Sequence, residues 1–306
     1  MKTLVLRIDE AASGAWPVTL TDAGGLEVQD RSPVPPAAGE PVAMDPAAIR
    51  GRLAQRPVPD LDAVARQLGA WALPPKVRDA IEALRHAGQD FRLVLDVRAN
   101  ELRDLPWELM RSSHLPDFLD VQTPCVRLHA AGRPPPVEWP MRVLVVVGAA
   151  APNDNDAPAD RDDILAEEEV FAIERTLHAM GHSIDREVLR RPTPDALFRT
   201  LRELRPHVFV FIGHCDQDAI SGGPVLRFQN EPDSWNWGPA RLALDMRGAG
   251  WVPSLVLLNA CRTQDRGASF GFAEAFIQAG VPACITMQGD VRGGVAGRFS
   301  AQVLQS

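Results

Sequence analysis

Two apolar runs, each ending abruptly in a reactive side chain, constrain this chain more than any other feature. Val208 to Ile212 is continuous Val, Phe and Ile and then breaks at Gly213-His214-Cys215. Leu255 to Leu258 is Leu and Val throughout and breaks at Asn259-Ala260-Cys261. Short apolar runs rich in β-formers, bounded by turn residues, read as strands buried on both faces. Such strands belong to parallel sheets, and in open α/β sheets functional groups gather beyond the carboxyl ends of the strands. Consecutive strands ending in an imidazole and a thiol therefore suggest a base beside a nucleophile. A thiol is only a few per cent thiolate at neutral pH, so a neighbouring imidazole is the simplest way to activate it.

The surrounding pattern supports an α/β fold with a mainly parallel sheet covered by helices on both faces. Strands are expected at 142–148, 183–189, 207–213, 254–259 and 282–287. Helices are expected at 163–180, at 193–204 with Thr193 as cap, at 268–279, and from 294 to the end. Strands separated by helices imply crossover connections and a parallel sheet. Before this core, strands are expected at 3–8 and in two pieces over 16–30 about a Gly24-Gly25 turn. Helices at 61–71 and 75–87 follow, then a strand at 91–97. Residues 31–60, rich in Pro, Ala and Gly, read as a loop or loosely packed crossing segment. The Pro-rich stretch 132–140 is the best candidate linker. Residues 1–135 then form a β-rich and helical lead-in packed on a core of 141–306.

Composition excludes several classes. A net charge of −8 without basic runs argues against nucleic-acid binding. No apolar stretch reaches the roughly 18–20 residues that span a bilayer, and the first ten residues, interrupted by Asp9, do not read as a secretory signal. Four cysteines (Cys125, Cys215, Cys261, Cys284) form no CxxC pair and no Cys/His spacing suited to zinc. Free thiols without a disulfide framework suit a cytoplasmic protein. Cys125 and Cys284, in apolar surroundings, read as small core residues. No GxxxxGK[ST] or ordered GxGxxG is present, which leaves a nucleotide-binding reading without support. No metal or organic cofactor is expected.

From about Leu93 onward the chain resembles the CHAT-domain family of caspase-like cysteine peptidases. Four blocks in order carry the resemblance: Leu105-Pro-Trp-Glu-Leu-Met110, Phe211-Ile-Gly-His214, Leu257-Leu-Asn-Ala-Cys261, and Phe276 through Pro282-Ala-Cys-Ile-Thr-Met to Asp290. The resemblance implies a caspase-like fold in which Cys261 is the nucleophile and His214 the general base and acid. Backbone N–H groups of Cys215 and Cys261 would form the oxyanion hole. The family pattern after the histidine is a glycine, and Cys215 stands there instead. It reads either as a tolerated substitution or as a second thiol with redox or nucleophilic character. Trp107 and Glu108 read as structural, an anchoring ring and a satisfied carboxylate.

By the same resemblance, the residue two before the nucleophile, Asn259, and the loop after the first core strand help form the substrate pocket. That loop is acidic, with Asp154 and Asp156, and Asp290 follows the last strand. Carboxylates there would favour a basic side chain before the cut; a solvated acidic loop and a helix cap are the plain reading. The expected partners are a protein substrate and a regulatory or sensor protein, with neither nucleic acid nor membrane. The alternative function is a catalytically silent caspase-like scaffold that binds a partner. Related chains continue with further helix and domains, so the sequence also reads as a piece of a longer protein.

Overall fold

The computed structural model describes residues 2–12, 15–32, 46–53, 60–103, 105–111, 125–128, 138–148, 160–180, 183–218, 224–228, 235–260, 271–286 and 293–305. The side chains of 46–48, 53, 160–165, 216–217, 293–297 and 305 are not described. The chain divides into two units, Met1–Ala130 and Ala131–Ser306.

The first unit is a five-stranded mixed sheet. Its strands are β1 (Lys2–Ile8), β2 (Pro17–Asp22), β3 (Glu27–Arg31), β4 (Phe91–Val97) and β5 (Cys125–Arg127), in the order β3-β2-β1-β4-β5. The antiparallel turn from β2 to β3 forms because the Asp22 carboxylate accepts from the N–H groups of Gly24 and Leu26, both at 2.8 Å. Gly25 takes the positive φ of 95° that such a turn requires. β1 and β4 run parallel, so the chain must cross over between them. Helices α1 (Pro46–Leu53), α2 (Leu61–Ala72) and α3 (Pro75–His86) lie in that crossover. Asp60 caps α2 by accepting from Ala63 N–H, and α3 opens on a proline in its first turn.

Helix α1 corrects the expectation of an irregular segment over 31–60. Pro46 supplies a helix-compatible first position, good formers follow it, and Ile49 reaches the core. Tryptophan builds much of this core. Trp16 lies 4.6 Å from Trp71, which stacks on Trp107 at 5.8 Å. Trp107 is fully buried and donates its indole N–H to Leu102 O at 2.8 Å. Glu108 accepts a two-pronged ion pair from Arg127 at 2.5 and 2.6 Å, and Arg127 also donates to the carbonyls of Arg103 and Leu105. The Leu105–Met110 block thus staples β5 to the loop after β4, the structural role expected of it.

The second unit holds an all-parallel five-stranded sheet. Its strands are β6 (Met141–Val147), β7 (Ile184–Arg190), β8 (Val208–Ile212), β12 (Leu255–Asn259) and β13 (Ala283–Thr286), in the order β13-β12-β8-β6-β7. Helix α4 (Asp160–Ala179) follows β6, and α5 (Pro194–Leu204) follows β7. Thr193 caps α5 through its hydroxyl, which accepts from Ala196 N–H at 3.2 Å. Helix α6 (Pro239–Ala249) precedes β12, α7 (Phe272–Gln278) precedes β13, and α8 (Gly293–Gln305) follows it.

Alternate residues of each central strand feed two separate cores. Val208, Val210 and Ile212 of β8 join Val170, Ile173 and Leu177 of α4 and Leu304 of α8. Phe209 and Phe211 face the other way, into a cluster with Leu197, Leu201, Met246, Phe272 and Phe276 from α5, α6 and α7. The sheet is thus covered on both faces, as its unbroken apolar strands require.

Between β8 and α6 lies a small antiparallel sheet that the sequence reading left without elements. It comprises β9 (Cys215–Gln217), β10 (Pro224–Arg227) and β11 (Asn236–Trp237), in the order β11-β10-β9. Phe228, Trp235 and Trp237 extend from it into the second core, with Phe228 and Trp235 rings 4.2 Å apart.

Candidate active site

Strand order reverses at β6. The chain steps from β6 to β7 on one side, then crosses to β8 on the other. A crevice forms at such a switch point beyond the carboxyl ends of the two diverging strands. The residues that follow those ends are Gly148 after β6 and Gly213-His214 after β8. On the far side of β8, β12 ends at Asn259, followed by Ala260.

The ladder fixes how these ends line up. Ile212 is the register partner of Val147 on one side and of Asn259 on the other. Gly148 N–H donates to Ile212 O at 2.8 Å, and Gly213 N–H donates to Asn259 O at 3.2 Å. The pairing therefore continues one residue past each strand. His214 follows directly and is half-buried.

The glycines are required by a close approach. A Cβ on Gly148 would lie 2.3 Å from Arg227 O and 2.7 Å from the Phe211 ring. One on Gly213 would lie 3.0 Å from the same ring. The tip of the Phe211 ring thus crowds both strand ends, and the Arg227 carbonyl of β10 crowds Gly148.

That same β10 holds the histidine segment. Arg227 N–H donates to His214 O at 3.3 Å, and the register continues as Leu226 with Cys215 and Val225 with Asp216. In an antiparallel ladder, hydrogen-bonded and non-hydrogen-bonded pairs alternate. His214–Arg227 is a hydrogen-bonded pair, so at Cys215–Leu226 the peptide groups point away from the partner strand. The N–H of Cys215 is therefore directed away from β10. The side chain of Cys215 packs against the apolar cluster that contains Leu226 and Trp237. Cys215 is not among the described non-glycine residues with positive φ, which are Asp60, Arg191 and Arg205. Nothing in its backbone calls for the freedom of glycine.

Asn259 is 5% exposed, and its side chain points into the sheet face covered by α4 and α8. The amide donates to a carboxyl oxygen of Glu169 on α4 and, at 3.0 Å, to Ser300 Oγ on α8. Glu169 is itself 6% exposed, and burial raises its pKa to about 8, with the hydrogen bond from Ser300 acting the other way. Burial thus favours its protonated, uncharged form. Sequence reasoning missed Glu169 and Ser300, which sit 90 and 41 residues from Asn259.

The remaining expected positions divide simply. Cys261, Asp154, Asp156 and Asp290 lie outside the described residues. Cys125 packs against the core of the first unit. Cys284 packs against the second core, and burial pushes its thiol well above the ordinary cysteine range. Both fit the role of small core residues. His207 is buried at the opposite end of β8 from His214. Among the described residues no group of three or more His, Cys, Asp or Glu is arranged to hold a metal ion. No helix among them is long and apolar enough to cross a membrane.

The family model of the CHAT domain matches residues 62–306. The match begins at the start of α2, inside the first unit, and runs through the whole of the second. Comparison with curated proteins gives no match. Among solved structures, a mutant of the PilB minor pilin from Streptococcus sanguinis aligns at 7% identity, covering 99% of this chain and 77% of that one, with a TM-score of 0.35. A likeness that weak carries no argument about the fold or the function.

Proposed function

The chain belongs to the CHAT-domain family of caspase-like proteins, and on that premise we propose that it is a cysteine endopeptidase cutting one or a few protein partners. The observation that carries the reading is a register. Ile212 and Asn259 are partners in adjacent parallel strands, His214 stands two residues beyond the first, and Cys261 stands two beyond the second. Neighbouring strands are about 4.8 Å apart, so the described ends from which the base and the thiol follow lie side by side.

In this mechanism Cys261 loses its proton to His214 and attacks the scissile carbonyl carbon. The tetrahedral oxyanion is held by backbone N–H groups of Cys215 and Cys261. His214 then returns the proton to the leaving amine, and water, deprotonated by His214, hydrolyses the acyl-enzyme. The direction of the Cys215 N–H, away from β10, suits the oxyanion role. Its side chain is turned into the apolar cluster. The acidic residues Asp154, Asp156 and Asp290 would favour a basic side chain before the cut. Residues 1–135 are part of the same module, a reading supported by the family match beginning at residue 62. A sensor or regulatory protein would govern access to the site.

The test is direct cleavage. Candidate partner proteins are incubated with wild type, Cys261→Ala, His214→Ala and the double variant, and new termini are mapped. Each single variant should lose nearly all turnover and the double variant should be little worse, since the two side chains act as a unit. Normal cleavage by Cys261→Ala, or its loss on chelation with EDTA, would sink the mechanism. A partner that binds wild type and variant alike and is never cut would establish the silent scaffold instead.

A further inference from the structure

The buried polar cluster under β12 has a geometry that the peptidase reading leaves unused. Asn259 has three ties in three directions. Its carbonyl receives the N–H of Gly213, the residue before His214. Its side-chain amide is held by Glu169 from α4 and by Ser300 from α8. In sequence it precedes Cys261 by two residues. One residue thus joins the end of the histidine strand, the end of the cysteine strand and the two helices that cover that face.

We propose that Glu169 and Ser300 are positioning residues, which act through Asn259 to fix the carboxyl ends of β8 and β12 and so hold His214 and Cys261 in register. This inference rests on the reading of those two residues as the reacting pair. The cluster sits in an otherwise apolar environment beside Ile212, Val170 and Val147. The ladder bond from Gly213 sets the register of the strand ends, and the two side-chain bonds of Asn259 tie that register to the covering helices. Burying a carboxyl group there disfavours its ionised form, as the raised pKa records, so the arrangement needs a reason other than stability.

Among the described residues, the groups that face the Glu169 carboxyl are neutral: Asn259 from β12 and Ser300 from α8. Charged neighbours on the same helices, Glu167 and Glu168 of α4 and Arg298 of α8, are exposed. Ionisation would therefore place an uncompensated charge in the cluster and open it. A glutamine at this position is the isostere of the protonated acid and keeps the acceptor oxygen for Asn259.

Two readouts test the proposal, one independent of catalysis. The first is hydrogen exchange at the Gly213 amide, corrected for intrinsic rate, in wild type, Glu169→Gln, Glu169→Ala and Ser300→Ala. The second is the rate at which iodoacetamide alkylates Cys261 in the same proteins, read by peptide mapping. Glu169→Ala should raise Gly213 exchange about tenfold or more and slow Cys261 alkylation by a similar factor. Ser300→Ala should do both more weakly, and Glu169→Gln should stay within about threefold of wild type at pH 7. Between pH 7 and 9, wild type should lose Gly213 protection while Glu169→Gln keeps it. Should Glu169→Ala fail to fold, the pH contrast between wild type and Glu169→Gln decides alone. Unchanged Gly213 exchange in Glu169→Ala, or an identical pH response in wild type and Glu169→Gln, would overturn the proposal. If Cys261 in wild type is insensitive to His214→Ala, the peptidase reading has failed. The Gly213 exchange then still judges whether the cluster fixes the strand ends.

Discussion

The two edges of the parallel sheet use the same residue type in opposite ways. At the amino edge, His207 opens β8 and is 2% exposed. Its N–H donates to Arg142 O at 2.8 Å, its Nδ1 accepts from Arg142 N–H at 3.0 Å, and its carbonyl takes the N–H groups of Ser254 and Leu255. Trp251 covers the ring edge-on at 6.2 Å and donates its own indole N–H to Pro206 O. Burial, with the Arg142 guanidinium second, keeps His207 uncharged to lower pH than an ordinary histidine. At the carboxyl edge, seven residues later and just past the end of β8, His214 is half-buried and follows a glycine close against the tip of the Phe211 ring. The amino edge consumes its polar groups in joining strands. The carboxyl edge places a half-buried histidine just past the strand end, at the switch point of the sheet. Position along the strand, and not residue type, separates a structural histidine from a candidate catalytic one.

The sharpest break of that comparison is steric. Gly148→Ala would force a methyl group against the Arg227 carbonyl and the Phe211 ring, neither of which can withdraw. It should cost at least about 3 kcal/mol of stability and displace β10 from the histidine segment. Denaturant unfolding measures the first effect and the loss of cleavage the second.

Next in size is the buried acid. Unfolded, Glu169 ionises near 4.5; folded, it holds its proton to about pH 8. Between those values the folded chain binds more protons than the unfolded one, so this group lowers stability progressively as pH rises through that window. Glu169→Gln should therefore stabilise the protein at pH 7 by up to about 3 kcal/mol and flatten the decline between pH 5 and 8. Urea midpoints across that range check it.

The amino edge gives the opposite slope. Unfolded, His207 takes up a proton near pH 6.5, whereas the folded state refuses it until lower pH. Stability tied to this ring is present above 6.5 and is lost as pH falls below it. His207→Ala should cost about 1–3 kcal/mol at pH 7.5, by leaving the Arg142 N–H without its acceptor, and should show a shallower loss between pH 6.5 and 5. The same series of unfolding curves measures it. The smallest effect belongs to Cys215→Gly. The side chain leaves an apolar contact and the backbone gains freedom it does not need. Cleavage should change by less than about threefold, with a stability loss of about 1 kcal/mol.

Much of this was legible in the sequence where local signals were strong. β6, β8 and β12 stand out because strands buried on both faces are unbroken apolar runs, and α5 because Thr193 and Pro194 mark its start. The β9–β11 sheet was not legible. Its strands are two to four residues long, and their pairing depends on partners across loops instead of on any periodicity. Helix α6 did carry signals, Pro239 at its first position and Gly250 as a left-handed cap with φ of 72°. At the candidate site, the place of His214 just past a strand end was legible from the apolar run before it. The roles of Glu169 and Ser300 were not. Neither has a motif, and their meaning comes only from the packing of α4 and α8 against β12.

The central claim is that the carboxyl edge, and not the amino edge, activates the thiol. It is tested most directly by the alkylation rate of Cys261 with iodoacetamide from pH 5 to 9 in wild type, His214→Ala and His207→Ala. Wild type should react fast at neutral pH, and His214→Ala should be slower by about tenfold or more there, with reactivity recovering only near the ordinary thiol range. His207→Ala should follow the wild-type profile. Equal profiles for wild type and His214→Ala, or a loss in His207→Ala matching that in His214→Ala, would contradict the account.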